Sequence, residues 1–136
     1  MNDIEKLEDR LGYTFKDKKL LKTALTHTSY ANEHKCLSYE RLEFLGDAVL
    51  QVLTSKYIYN NYPGFPEGKM SRLRANVVCE TTLFHIAEKL GIGEFALLGR
   101  GEEMTGGRKR PSILADMVEA VLAEFTSTAA WKRPRA

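Results

Sequence analysis

Cysteine is scarce in this 136-residue chain: Cys36 and Cys79 are the two present, far apart and outside any CxxC or Cys/His cluster. That excludes a disulfide framework and a thiolate zinc site, and both are expected to be buried free thiols. Long apolar runs are missing as well. No stretch approaches the ~18 residues of a membrane span, and the opening MNDIEKLEDRLG has no basic segment leading into an apolar one. The sequence therefore predicts a cytoplasmic protein. Charge of one sign is not in excess either, since a net +2 is too small to mark a nucleic-acid binder by itself. Its basic residues are nevertheless grouped, at Lys16, Lys18, Lys19 and Lys22, at Lys69, Arg72 and Arg74, and at Arg100, Arg108, Lys109 and Arg110. No serine or cysteine has a convincing His/Asp arrangement, and His27, His34 and His85 are scattered; His27 reads as a hydrogen-bonded structural residue.

With 43% hydrophobic and 28% charged residues, the chain has the composition of one soluble globular domain. Repeats, low-complexity tracts and sustained apolar/polar alternation are absent, while apolar residues recur at three- and four-residue spacing. The fold class expected is all-α, with about six helices near 2–11, 17–27, 38–61, 67–78, 80–91 and 112–124. Breakers separate them: Gly12, the Asn61-Tyr62-Pro63-Gly64-Phe65-Pro66 run, Gly91-Ile92-Gly93 and Gly106-Gly107. The longest segment, 38–61, is expected to run through the centre. Periodicity stops at residues 125–136, which read as an atypical, disordered tail. On that reading Val118, Val121 and Leu122 would lack a covering helix, and the chain would respond by self-association.

The chemistry is carried by acids. Glu40, Glu43 and Asp47 stand at i, i+3 and i+7, which confines three carboxylates to roughly a 60° arc of one helix. Like charges so placed repel, and no Lys or Arg follows at i+4 to relieve them, so the stripe asks for a cation. Asp116 and Glu119 form a second, i, i+3 pair in an otherwise apolar helix. If the two helices pack side by side, Glu43, Asp47, Asp116 and Glu119 converge as an oxygen-only site, which suits Mg²⁺ or Mn²⁺ rather than Zn²⁺ and can serve phosphodiester hydrolysis. Phe44 sits at the edge of the acidic stripe, away from Leu45, Ala48, Val49, Val52 and Leu53, and hints at a partner surface there.

The run Glu40-Arg41-Leu42-Glu43-Phe44-Leu45-Gly46-Asp47-Ala48-Val49-Leu50 closely resembles the signature of the ribonuclease III family. Leu25 to Tyr30, Glu67 to Ala75, Gly99 to Glu102 with Gly106-Gly107, and Ser112 to Ala120 resemble further family motifs in the same order, so the resemblance covers about residues 1–124. It implies an all-helical ribonuclease III endonuclease-domain bundle that forms a homodimer. Such a dimer cuts double-stranded RNA in RNA processing, of ribosomal and messenger RNA alike, leaving 5′-phosphates, 3′-hydroxyls and short 3′ overhangs. Carried onto this chain, it makes Glu43, Asp47, Asp116 and Glu119 the metal ligands. Glu40 and Glu67 become secondary acids at the site or the dimer interface, Glu102 a weaker candidate, and Phe44 the aromatic inserted into the partner. Lys69, Arg72, Arg74, Arg108, Lys109 and Arg110 are the candidate RNA contacts. The family's final helix and the double-stranded-RNA-binding domain of bacterial members are not found in the sequence, which reads as a domain cut short.

Two rival readings remain at this stage. A non-catalytic duplex-RNA or ribosome-associated module would keep the core without needing every acid, and a plain helical interaction domain would bind neither metal nor RNA.

Overall fold

The computed structural model describes residues 2–128, with side chains described up to Phe125. Eight α-helices and two 3-10 turns make up the described residues, which contain no β-strand. The helices are α1 (Asp3–Leu11), α2 (Lys18–Ala24), α3 (Thr28–His34), α4 (Glu40–Asn61), α5 (Glu67–Val77), α6 (Glu80–Leu90), α7 (Arg100–Met104) and α8 (Pro111–Thr128). The all-α expectation holds, and the six expected segments match α1, α2, α4, α5, α6 and α8 to within a few residues. The apolar periodicity does not reveal the short α7 or, after the turn that follows α2, the seven-residue α3. Its start is set by a local polar device: the His27 ring nitrogen accepts the Ser29 N–H at 3.1 Å and lies 2.8 Å from the Ser29 hydroxyl. His27 is thus hydrogen-bonded, as the sequence suggests.

Local chemistry explains the other boundaries. Asn2 and Glu5 form a reciprocal capping box at the start of α1, Asp17 caps α2, and α1 ends on Gly12 in the left-handed region at φ 69. Between α2 and α3 a short parallel bridge joins Thr26 to Leu97, with Leu97 N–H donating to the Leu25 carbonyl at 2.8 Å and His27 N–H to the Leu97 carbonyl at 3.0 Å.

The central element is α8, not α4. Ile113, Leu114, Ala115, Met117, Val118, Ala120, Val121 and Ala123 are all buried, packed among Leu7, Phe15, Leu21, Leu25, Leu83, Ala87, Ile92 and Phe95. By contrast α4 buries only Gly46, Val49 and Ile58, while Leu45, Val52, Leu53, Tyr57 and Tyr59 stay exposed. The apolar arc that suggests a central helix therefore faces outward over much of its length. The expectation that Val118, Val121 and Leu122 lie uncovered is also overturned: each valine is at most 6% exposed within the single chain, and Leu122 is partly buried against the same core. Phe125 belongs to α8 rather than to a tail, and its ring packs 4.8 Å from Tyr13 and 5.6 Å from Phe15. The rest of the expected tail, 129–136, lies outside the described residues. The thiols correct a further expectation: Cys36 is exposed and Cys79 only partly covered. No helix among the described residues is long and apolar enough to cross a membrane.

Candidate functional site

The first turns of α4 carry Glu40, Glu43 and Asp47, and the second and third turns of α8 carry Asp116 and Glu119. What brings them together is Gly46. A Cβ at that position would overlap the Glu119 carbonyl, so the two helix backbones touch where the acids face one another. A glycine inside a helix costs about 1 kcal/mol relative to alanine, and here the cost goes to a close approach that no side chain allows.

Carboxylate oxygens of Glu43, Asp116 and Glu119 lie within 4.8 Å of one another. Asp47 joins through Glu119, to which it is hydrogen-bonded, and a recess of about 420 Å³ beside them is lined by Glu40, Glu43, Phe44, Asp47 and Glu119. Glu119 is buried and Glu43 half-buried, whereas Asp47 and Glu40 are exposed. Crowding keeps protons on the site. Burial first, then the hydrogen bond to Asp116 and the charges of Asp116, Glu40 and Asp47, push Glu43 up to about 7. Glu119 is pushed to about 8 by burial, by its hydrogen bond to Asp47 and by the charges of Asp47, Glu43 and Asp116. Without a cation the retained protons therefore belong to Glu43 and Glu119.

This donor set fits a hard divalent cation. Octahedral ligands at ~2.1 Å from Mg²⁺ are about 3 to 4 Å apart, a spacing within reach of the cluster, and the donors are all oxygen. Asp116 has one further partner, the Tyr39 hydroxyl, which donates to its Oδ2 at 3.3 Å.

The model of the Ribonuclease-III-like family matches residues 17–127. The chain belongs to that family. It is 54% identical over 123 residues to the ribonuclease 3 of Oceanobacillus iheyensis, covering 88% of this chain and 54% of that one. To the ribonuclease 3 of Clostridium tetani it is 52% identical over 124 residues, covering 90% and 53%. This ribonuclease-III-like chain thus spans about half the length of the curated relatives it matches. Its fold superposes on the nuclease domain of ribonuclease III from Campylobacter jejuni with a TM-score of 0.90 and 44% identity, over 96% of this chain and 89% of that one. A region of that nuclease domain takes part in dimer formation.

Other residues singled out in the sequence fall elsewhere in the ribonuclease-III-like fold. Glu67, at the start of α5, lines a separate recess with Ser55, Ile58, Tyr59 and Arg74, roughly two turns along α4 from the acids. Within one chain it is not part of the cluster. Glu102 is ion-paired with Arg110, whose guanidinium also donates to the Thr105 carbonyl at 2.9 Å. Arg108 is ion-paired with Glu103 and donates to the Gly93 and Ala96 carbonyls at 2.8 and 2.9 Å, so it clasps the loops around α7. Arg74 donates to the Ser55 hydroxyl at 2.9 Å, and Lys69 lies 4.2 Å above the Phe65 ring. Arg72 and Lys109 are exposed.

Two contributors escape the sequence reading. Gly46 carries a visible signal, a glycine inside a strongly patterned helix. Tyr39 carries none, because nothing local to it announces a partner 77 residues away.

Proposed function

We propose that this chain is the catalytic domain of an endoribonuclease that hydrolyses double-stranded RNA with Mg²⁺, for which Mn²⁺ can substitute, working as a cytoplasmic homodimer. The observation that carries the reading is the oxygen cluster of Glu43, Asp116 and Glu119, with Asp47 hydrogen-bonded to it, at the contact between α4 and α8. Glu43, Asp47, Asp116 and Glu119 hold the cation, and Glu40 stands at the rim of the same recess. A divalent cation held there supplies positive charge to the phosphoryl group and makes water a better nucleophile. The chain's own contribution is to fix four carboxylates, surrender the protons that Glu43 and Glu119 retain, and present the site on an open face that admits a duplex. Cleavage leaves 5′-phosphates, 3′-hydroxyls and short 3′ overhangs, as the family resemblance implies. Of the basic residues, Arg72 and Lys109 suit phosphate contacts better than Arg108 and Arg110, whose guanidinium groups bond within the chain.

The reading is tested by incubating the protein with long double-stranded RNA and Mg²⁺, with and without EDTA. Discrete short duplex products are expected with Mg²⁺ alone. Intact RNA in both lanes, from a protein shown to be folded, favours the non-catalytic module instead.

A second copy is favoured as partner by the face of α4. Phe44 is 82% exposed, and beside it lies an apolar-rich recess of about 960 Å³ whose lining includes Leu20, Ala31, Leu37, Leu42 and Leu45. Two-fold pairing sets each Phe44 against the recess of the other copy. The dimer-forming role described for the Campylobacter jejuni nuclease domain agrees with this. Phe44→Ala is expected to weaken the dimer at least tenfold by sedimentation velocity, the size of effect typical of a central aromatic anchor. An unweakened dimer would move the interface elsewhere.

A further inference from the structure

We propose that Tyr39 is a positioning residue for the metal site, its hydroxyl holding the Asp116 carboxylate in the orientation that accepts a divalent cation. The inference rests on the acid cluster being a cation site.

Tyr39 is built in rather than laid on. It is 4% exposed and immediately precedes α4, so its backbone is continuous with the helix that bears Glu40, Glu43 and Asp47. Its N–H donates to the Thr26 carbonyl at 2.8 Å, and the edge of its ring meets His27 at 5.8 Å and 70°. Thr26 is itself tied down, by the bridge to Leu97 and by its hydroxyl donating to the Lys22 carbonyl at 2.7 Å. The phenol is therefore fixed at both ends before it reaches Asp116 Oδ2 at 3.3 Å.

Asp116 needs such a donor. Two acids crowd it: carboxylate oxygens of Glu43 and Glu119 lie within 4.8 Å of its own. Ligating carboxylates accept hydrogen bonds and do not donate them, so a donor that orients Asp116 has to come from a group that is not one of the site's acids. The Tyr39 phenol is such a donor, and it reaches Asp116 Oδ2 from the residue that precedes α4. Outer partners of this kind orient ligating carboxylates, and their loss typically weakens metal affinity by about 10- to 100-fold.

Tyr39→Phe keeps the ring, its core contacts and the His27 edge, and removes only the hydroxyl. The probe is Mn²⁺ alone, titrated into the RNA-free chain and read by the electron paramagnetic resonance signal of free Mn²⁺. The variant is expected to bind Mn²⁺ at least about tenfold more weakly while melting within a few degrees of wild type in EDTA. In an Asp116→Asn background the same substitution should add almost nothing, because the hydroxyl acts through Asp116. Equal Mn²⁺ affinity in the variant and wild type overturns the proposal and leaves the metal site standing. So does an undiminished loss in the Asp116→Asn background, or a large drop in EDTA melting temperature with wild-type affinity, which would make Tyr39 a plain core residue. A wild-type chain that binds no Mn²⁺ sinks the metal site and this inference with it.

Discussion

Glu119→Gln is expected to reduce cleavage of double-stranded RNA by about three orders of magnitude or more, because it removes a buried ligand charge worth several kcal/mol where each 1.4 kcal/mol is tenfold in rate. Asp47→Asn should act in the same direction. Both changes nearly preserve shape, so the fold should survive. Metal-free stability carries an independent signature. Glu43 and Glu119 stand at about 7 and about 8 against an ordinary value of 4.5, and Glu124, buried and near the charge of Asp17, is pushed to about 7. Between pH 4.5 and 8 these three acids therefore hold more protons in the folded chain than in the unfolded one, while His27, lowered by burial, works the other way. On balance stability in EDTA should fall as pH rises through that window, by at most roughly 1.4 kcal/mol per pH unit for each retained proton and by less for the half-exposed Glu43. Wild type should melt higher at pH 6 than at pH 8, and Glu119→Gln should show a shallower fall, with Glu43 and Glu124 still contributing. Near-wild-type turnover in Glu119→Gln would refute the ligand assignment, and a flat wild-type pH profile in EDTA would refute the retention of protons by Glu43 and Glu119.

Gly46→Ala should be the most damaging conservative change in the chain. Helix propensity alone would make it stabilising by about 1 kcal/mol, but the added methyl overlaps the Glu119 carbonyl, which is backbone and has no rotamer to escape into. Forcing atoms into a packed contact costs about 1–3 kcal/mol or more, and here it also drives α4 from α8. Urea unfolding should show lost stability, and Mn²⁺ titration should show weakened binding, since separation of the helices pulls Glu43 from Asp116 and Glu119. Gly68→Ala is the control: its Cβ would meet only the Arg72 guanidinium at 3.8 Å, so the propensity gain should appear undiminished. A Gly46→Ala chain equal to wild type in both measurements would show that the close approach does not build the site.

Much of this was legible in the residues themselves. The i, i+3, i+7 acids and the later i, i+3 pair announce two facing stripes, and the structure brings Glu43, Asp116 and Glu119 together, with Asp47 bonded to Glu119. What periodicity misjudges is which helix lies inside. Leu45, Val52 and Leu53 look like core by spacing, yet 43–50% of each is exposed. A pattern of apolar residues states that a face avoids water without saying whether its own chain or another covers it. The short α3 was invisible for a different reason: seven residues held by a cap and a β-bridge leave no amphipathic repeat. Arg108 and Arg110 show the limit for charges, because a basic run does not reveal that its guanidinium groups are already bonded to backbone carbonyls and to Glu103 and Glu102.

The helix that completes the core is also the helix that completes the cluster, and Met117, Val118 and Ala120 alternate along it with Asp116 and Glu119. A newly made chain in which α8 has not yet docked possesses half of the acids and no assembled site. Completion of folding and assembly of the acid cluster are thereby tied to one event, so on the proposed function an immature or partly opened domain would be inert toward RNA instead of acting as a loosely selective nuclease.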